Sequence, residues 1–316
     1  MAYKYYEEEE EYVPQPRRRR KKRFGRRLLF WLFLFAVLLT AYKATNGFSH
    51  LGVIGGAPKN NIVTDFNVDL AVLAGSMGGG DFEASESDLA ALRTVAEKNP
   101  EYREKIEFFI ENVANYDQGA VNTVLLAPEK TDYVLLAPFA AETPAGTWDV
   151  TVKKGTVPFF IQYDSRWAFH NYGSGPMGDT ACGPTCLSMA LAGLTGDGTL
   201  TPDVVADYAE SAGYYVPGVG TAWSIFTGAA EHYGVRGEEI ALSQTEMKDR
   251  LRNGEVLIAS VTPGDFTMAG HFIVIHGTTV GGFSVYDPSS IERSGMAWSY
   301  DKLAPQIAAI WSLRAA

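Results

Sequence analysis

The chain has 316 residues, of which 46% are hydrophobic and 20% are charged, and its formal net charge is −10. This hydrophobic content excludes a wholly disordered chain. Two cysteines are too few for a disulfide-dense scaffold or a Cys-rich structural zinc site. The charge is unevenly distributed, because residues 1–27 have a net charge of +5 and the remainder −15. A nucleic-acid-binding protein needs a basic face on its folded part, so we expect no nucleic-acid partner.

The N-terminal region has the composition of a membrane-targeting segment. Residues 1–27 hold an acidic run, two prolines and then nine basic residues, which predicts a disordered cytoplasmic tail. Residues 28–42 follow without a charged side chain. We predict a single transmembrane anchor at 28–44, with the C-terminal part outside the cell membrane. A cleaved signal peptide is the alternative, because a membrane span needs about 20 apolar residues.

The next two regions offer no candidate chemistry. Residues 45–84 are rich in glycine, asparagine and small residues, which indicates a linker with one short apolar element near residues 68–73. Residues 85–155 show apolar positions at helical spacing, interrupted at Asn99-Pro100. We expect this part to be a small helical spacer or packing module.

From residue 156 onward, helices precede strands. We predict helices at 184–194, 202–213, 221–233 and 244–253, and strands at 157–163, 256–261, 271–276, 283–286 and 310–313. Helices followed by an antiparallel sheet are typical of an α+β domain, which we place at 156–316.

Cys182 is the candidate nucleophile. Gly183-Pro184 predicts that a helix begins immediately after this cysteine, because proline is tolerated in the first helical turn. The free N–H groups and the dipole of a helix N-terminus stabilise a thiolate, and the same groups can bind an oxyanion. The alternative is a structural thiol. Cys186 lies one helical turn further, too far for an easy disulfide with Cys182, and is expected in the core.

His271 and Asp287 are the candidate partners of that thiol. If the strands around them form a hairpin centred on Thr279, His271 lies opposite Asp287 and the two can form a base–orienter pair. His276 then lies at the loop end, as a turn or packing residue. A metal site made of Cys182, His271 and Asp287 lacks local ligand spacing, and we expect no cofactor.

The motif Cys182-Gly-Pro-Thr, with downstream Gly270-His271 and Asp287-Pro288, resembles the peptidase-like relatives of the bacteriocin double-glycine leader peptidases. The resemblance covers residues 156–316. It implies a papain-like cysteine peptidase fold, with the cysteine on an N-terminal helix and the histidine and aspartate on a C-terminal antiparallel sheet. The implied roles are nucleophile for Cys182, general base and acid for His271, and imidazole orienter for Asp287.

Gln162 is the fourth implied site residue, as the donor of an oxyanion-hole amide. The leader peptidases place this glutamine six residues before the cysteine, where this chain has Pro176, whereas Gln162 lies twenty residues upstream. An exposed polar residue on a strand is the alternative for Gln162.

The expected function is therefore a membrane-tethered, extracytoplasmic cysteine peptidase or amidase that acts on a peptide or a peptidoglycan peptide. The alternative is a catalytically inactive papain-like module that serves as a binding scaffold at the cell surface.

Overall fold

The helices and strands follow one another in the predicted order, with most helices preceding an antiparallel sheet. The computed structural model describes residues 62–64, 66–143, 145–146 and 148–316. Within these residues the α-helices are α1 Leu70–Ser76, α2 Glu86–Lys98, α3 Arg103–Glu111, α4 Gln118–Leu126, α5 Thr131–Leu136, α6 Met177–Thr180, α7 Cys182–Thr195, α8 Pro202–Ser211, α9 Gly228–His232, α10 Gln244–Arg252, α11 Ile291–Ser294 and α12 Tyr300–Leu303.

The predicted location in the cell membrane requires correction. In the part of the chain that the structure describes, no helix has both the length and the apolar character needed to cross a bilayer. This finding contradicts the single-pass layout with an extracellular domain, which we withdraw. The predicted tail at 1–27, the anchor at 28–44 and the first part of the linker lie outside the described residues.

Six strands form one antiparallel sheet with the spatial order β5-β10-β6-β7-β8-β9. The C-terminal strand therefore lies between two earlier ones. Two short antiparallel ribbons, β1 with β2 and β3 with β4, lie outside this sheet. The strand bounds are β1 Asn171–Tyr172, β2 Gly175–Pro176, β3 Tyr215–Val216, β4 Gly220–Thr221, β5 Val235–Glu239, β6 Val256–Val261, β7 His271–Thr279, β8 Gly282–Tyr286, β9 Ala297–Trp298 and β10 Ile307–Ala315.

Both faces of the sheet are covered, which explains why β6 is apolar throughout. Every residue of β6 is buried. Val256 and Ile258 belong to one apolar core, together with α7, whereas Leu257 and Ala259 belong to a second core. Successive side chains of a strand point to opposite faces, so an uninterrupted apolar run is what a strand between two cores requires.

Two predicted elements are wrong, and six strands of the described chain, β1 to β5 and β9, were not predicted. Residues 158–163 are buried but form no strand, because the backbone N–H of Gln162 donates to the carbonyl of Pro288 at 2.8 Å instead of joining a ladder. The predicted helix at 221–233 divides at Thr227 into a 3₁₀ turn, Trp223–Phe226, and α9. Strand β5 escaped prediction because its sequence is mostly charged, as expected for an edge strand.

The helices of residues 86–136, here called the helical segment, share the larger core with the remainder of the described chain. Leu92, Ile106, Phe109 and Val121 are fully buried in the same cluster as residues of α7 and the sheet. The ring of Tyr133 stacks on that of Phe169, with centroids 5.4 Å apart. A shared core predicts that the helical segment and the sheet unfold together.

Replacing Phe109 with alanine tests this cooperativity. We expect a destabilisation of about 3–5 kcal/mol, because a large buried ring is lost and its cavity remains. Thermal unfolding followed by circular dichroism and by tryptophan fluorescence should show one coincident transition, shifted to lower temperature. Glu107→Ala, an exposed position on the same helix, is the control and should leave the midpoint nearly unchanged. Separate transitions for helix and sheet would contradict the shared core.

Candidate active site

Cys182 is the first residue of α7 and is partly exposed, as its sequence context predicts. Gly183 allows this helix end to approach β4, because a Cβ at position 183 would lie only 2.7 Å from the side chain of Thr221. Cys186 is buried one turn further along, and both cysteines are free thiols. The helix start thus presents one sulfur to solvent and keeps the other in the core.

His271 begins β7 and bonds to Asp287 just after β8, although the predicted register was wrong. Ile275 pairs with Val285 rather than with residue 283, and a bulge interrupts the ladder at His276. Extending the observed register places Asp287 opposite Ile273, two residues from His271. Such diagonal neighbours are within reach of long side chains. The Nε2 atom of His271 lies 2.8 Å from Oδ1 of Asp287.

The carboxylate of Asp287 is fully buried and accepts three hydrogen bonds. Oδ1 accepts from His271 and from the backbone N–H of Ser289 at 2.7 Å, and Oδ2 accepts from Nε of Arg293 at 2.6 Å. A buried charge is tolerated only when it is paired and hydrogen-bonded, and this one is. The carboxylate is therefore held in one orientation against the imidazole.

The local charges determine the protonation of this pair. Burial alone would lower the pKa of His271, but the charge and hydrogen bond of Asp287, together with Cys182, outweigh it and raise this pKa to about 9. Burial would raise the pKa of Asp287, but Arg293 and His271 hold it well below its usual range. At neutral pH the pair is consequently an imidazolium and a carboxylate.

Cys182 and His271 both line an open cleft. Cys182 is close enough to His271 to contribute to the raised pKa of this imidazole. Because Asp287 occupies Nε2, Nδ1 is the ring nitrogen left for the sulfur. Both residues line two adjoining cavities, of about 810 and about 460 Å³. A substrate in either cavity can therefore reach the sulfur.

Gln162 lies at the same cleft and is buried, so the alternative of an exposed strand residue does not hold. Its Nε2 donates to the carbonyl of Gly178 at 2.7 Å. A carbonyl only accepts, so the amide nitrogen must face Gly178. Its second hydrogen stays available, while Oε1 is buried without a hydrogen-bond partner.

Comparison with known proteins is consistent with this arrangement. A family model, the Peptidase_C39 like family, matches residues 154–315, about half of the chain. The chain belongs to the Peptidase_C39 like family. Its described domain has the papain-like α+β fold that goes with this family, and the resemblance stated from the motif is confirmed.

The chain was also compared with solved structures and with curated proteins. The solved structure of a C39-like peptidase from Bacillus anthracis is 17% identical, with a TM-score of 0.32, and the likeness covers 51% of this chain and 97% of that one. No curated protein matches. The family assignment thus depends on the sequence match at 154–315, which begins after the helical segment.

His276 has the predicted packing role, but it lies within β7 rather than at the loop end of the hairpin. Its ring stacks on that of Tyr286 with centroids 3.7 Å apart, and burial lowers its pKa to about 4. Burial likewise raises the pKa of Cys186 well above the usual thiol value. His276 and Cys186 are therefore both uncharged near neutral pH.

Several groups around the C39-like site were missed from sequence. Arg293, on the short helix α11, binds Asp287, and Glu129 accepts from the Ser290 hydroxyl at 2.8 Å. Lys130 is buried and donates to the carbonyl of Gly178 at 3.0 Å. The only available signal was Arg293, a basic residue six positions after a candidate catalytic aspartate. Nothing in the helical segment marked Glu129 or Lys130.

The pKa values of His271 and His276 should be shifted in opposite directions from the ordinary imidazole value. By ¹⁵N NMR of the imidazoles, we expect His271 to stay protonated until the pH approaches 9 and His276 to stay neutral until it falls towards 4. Asp287→Asn should lower the His271 midpoint by more than one pH unit, because burial then acts without the opposing charge. His276 is the internal control. An unchanged His271 midpoint in Asp287→Asn would contradict the ion pair.

Proposed function

We propose that this chain is a cysteine peptidase or amidase that hydrolyses an amide bond of a peptide. The observation that supports this best is the buried His271–Asp287 pair beside a partly exposed sulfur at a helix start. A nucleophile, a base within reach and a group that orients the base are the combination that amide hydrolysis by a thiol requires. Membership of a peptidase family points the same way.

In the first step, Sγ of Cys182 attacks the carbonyl carbon of the substrate amide, and the C–O double bond becomes an oxyanion. In this proposed step the sulfur attacks as a thiolate, and His271 carries the proton as an imidazolium. Collapse of the tetrahedral intermediate breaks the C–N bond. The leaving nitrogen takes the proton from Nδ1 of His271, and the acyl group stays on the sulfur as a thioester.

In the second step, His271 accepts a proton from water as the water oxygen attacks the thioester carbonyl. The C–S bond breaks with its electron pair on sulfur, so a carboxylic acid is released, Cys182 is again a thiolate and His271 keeps the proton taken from water. Asp287 keeps the ring oriented in both steps and balances its positive charge. No cofactor enters either step, because the two half-reactions exchange only protons and the acyl group.

The oxyanion is assigned to two donors. One is the backbone N–H of Cys182 at the start of α7, where helical N–H groups lack intrahelical partners. The other is the free amide hydrogen of Gln162, whose nitrogen the Gly178 carbonyl fixes.

Removing one such donor from a hydrolase typically lowers kcat by about 10²–10³-fold. Gln162→Ala should show a loss of this size in kcat.

Thiol alkylation tests the nucleophile. We expect iodoacetamide to modify Cys182 quickly and Cys186 hardly at all, because Cys186 is fully buried. His271→Ala should slow modification of Cys182 at pH 7, since the adjacent positive charge is lost. Peptide mapping by mass spectrometry measures both rates. Cys186→Ala is the control and should label like the wild type. Equal labelling of both thiols, insensitive to His271, would contradict the proposal.

Hydrolysis separates the enzyme from the alternative of an inactive binding module. With a library of capped peptides, we expect the wild type to release new amines and Cys182→Ser to lose nearly all turnover. A chain that binds library peptides without cleaving them, and whose binding survives Cys182→Ser, would be the inactive scaffold instead.

A further inference from the structure

The larger cavity at the site is lined in large part by the helical segment and the residues just after it. Residues from Asn115 to Pro138 form one part of the 810 Å³ cavity, and residues 266–270 form another, with Cys182 and His271 between them in the lining. Residues 115–138 precede the family match at 154–315. One side of this cleft is thus formed by residues that lie outside the domain shared with the family.

This part of the cleft is attached firmly to the site. Lys130 donates to the Gly178 carbonyl, the Tyr133 hydroxyl donates to Asp179 at 2.8 Å, and Glu129 accepts from Ser290. A Cβ at Gly178 would lie 2.2 Å from the Tyr133 ring, so the two surfaces are in direct contact. Because the buried Lys130 would lose its partners on separation, residues 115–138 form a fixed wall rather than a removable cover.

The chemistry left open to a ligand in this cavity is mainly apolar. Lys130 binds Gly178, Asp179 binds Tyr133 and Arg293 binds Asp287, so these charged lining groups already contact protein atoms. The remaining carboxylate, Asp117, caps its own helix by accepting from the backbone N–H of Ala120. By contrast, the side chains of Leu126 and Met268 line the same cavity and are 49% and 40% exposed. Large apolar side chains exposed in a concave site are typical of a ligand-binding surface.

We propose that residues 115–138 form a substrate-binding wall, and that Leu126 and Met268 bind a large apolar side chain of the peptide near the bond that is cleaved. We assign the substrate as the occupant, because Cys182 and His271 line this cavity together with Leu126 and Met268. This inference rests on the proposed function and adds the class of substrate side chain.

The test uses peptide binding to the full chain in a Cys182→Ala background, where cleavage cannot occur. The probe is a library of acetylated, amidated hexapeptides with Leu, Phe, Met, Ala, Ser or Asp at each position, followed by fluorescence polarisation. We expect a preference for large apolar residues at one position. Leu126→Ala should weaken those peptides about tenfold and leave the Ala peptides unchanged, because lost apolar contact in a pocket has an effect of this order.

Matched variants control for folding. Val280→Ala removes methyl groups from a fully exposed position outside both cavities and should leave peptide binding unchanged. Leu126→Met, which keeps a large apolar side chain, should show the same preference for large apolar peptide residues as the wild type. Unaltered selectivity in Leu126→Ala, or equal weakening of all peptides, would overturn the inference. The wild-type enzyme separates the two proposals. If the selected peptides bind but are not hydrolysed, the proposed function fails. If they are hydrolysed with no dependence on Leu126, the inference fails.

Discussion

The buried carboxylate of Asp287 is the constraint on which the site depends. It bonds at once to the imidazole of His271, the guanidinium of Arg293 and the backbone of Ser289. Removing one partner of a buried ion pair leaves a charge uncompensated, at a cost of about 3–5 kcal/mol. The three contacts therefore fix both the fold around the strand ends and the protonation of the imidazole.

The sign of the pH effect follows from these charges. Because the folded-state pKa of His271, about 9, exceeds the ordinary value of 6.5, its pairing stabilises the fold fully below pH 6.5. That stabilisation is lost as the pH rises towards 9. The depressed pKa of Asp287 acts in the opposite range, since its contribution is present at neutral pH and is lost only in acid. The site and the fold are thus best maintained at neutral and mildly acidic pH.

The helical segment connects the proposed substrate-binding wall to the hydrogen-bonded groups around Asp287. Glu129 bonds to Ser290, which neighbours the loop that holds Asp287, and Lys130 shares the Gly178 carbonyl with Gln162. Burial raises the pKa of Glu129 and lowers that of Lys130. One pair of adjacent residues therefore contacts both the base side and the proposed oxyanion side of the cleft. A wall so attached can select a substrate without moving.

The sequence predicted the parts of the site that local rules determine. The proline after Cys182 marked the helix start, and strand spacing brought His271 near Asp287 even with the wrong register. Local sequence rules do not predict a β-bulge, so the shift of strand register at His276 was missed. Lys130 and Leu126 reach the cleft, and Glu129 reaches Ser290, through tertiary packing of a region with no motif. Periodicity alone does not predict such contacts. The six-stranded order, with β10 between β5 and β6, is equally a long-range outcome.

The most direct measurement of the central claim is intact-protein mass spectrometry after rapid acid quenching of a reaction with a peptide substrate. The account predicts a covalent adduct with the mass of the N-terminal product, mapped to Cys182 and sensitive to hydroxylamine, as a thioester is. Turnover with no adduct at any quench time, retained in full by Cys182→Ser, would contradict it.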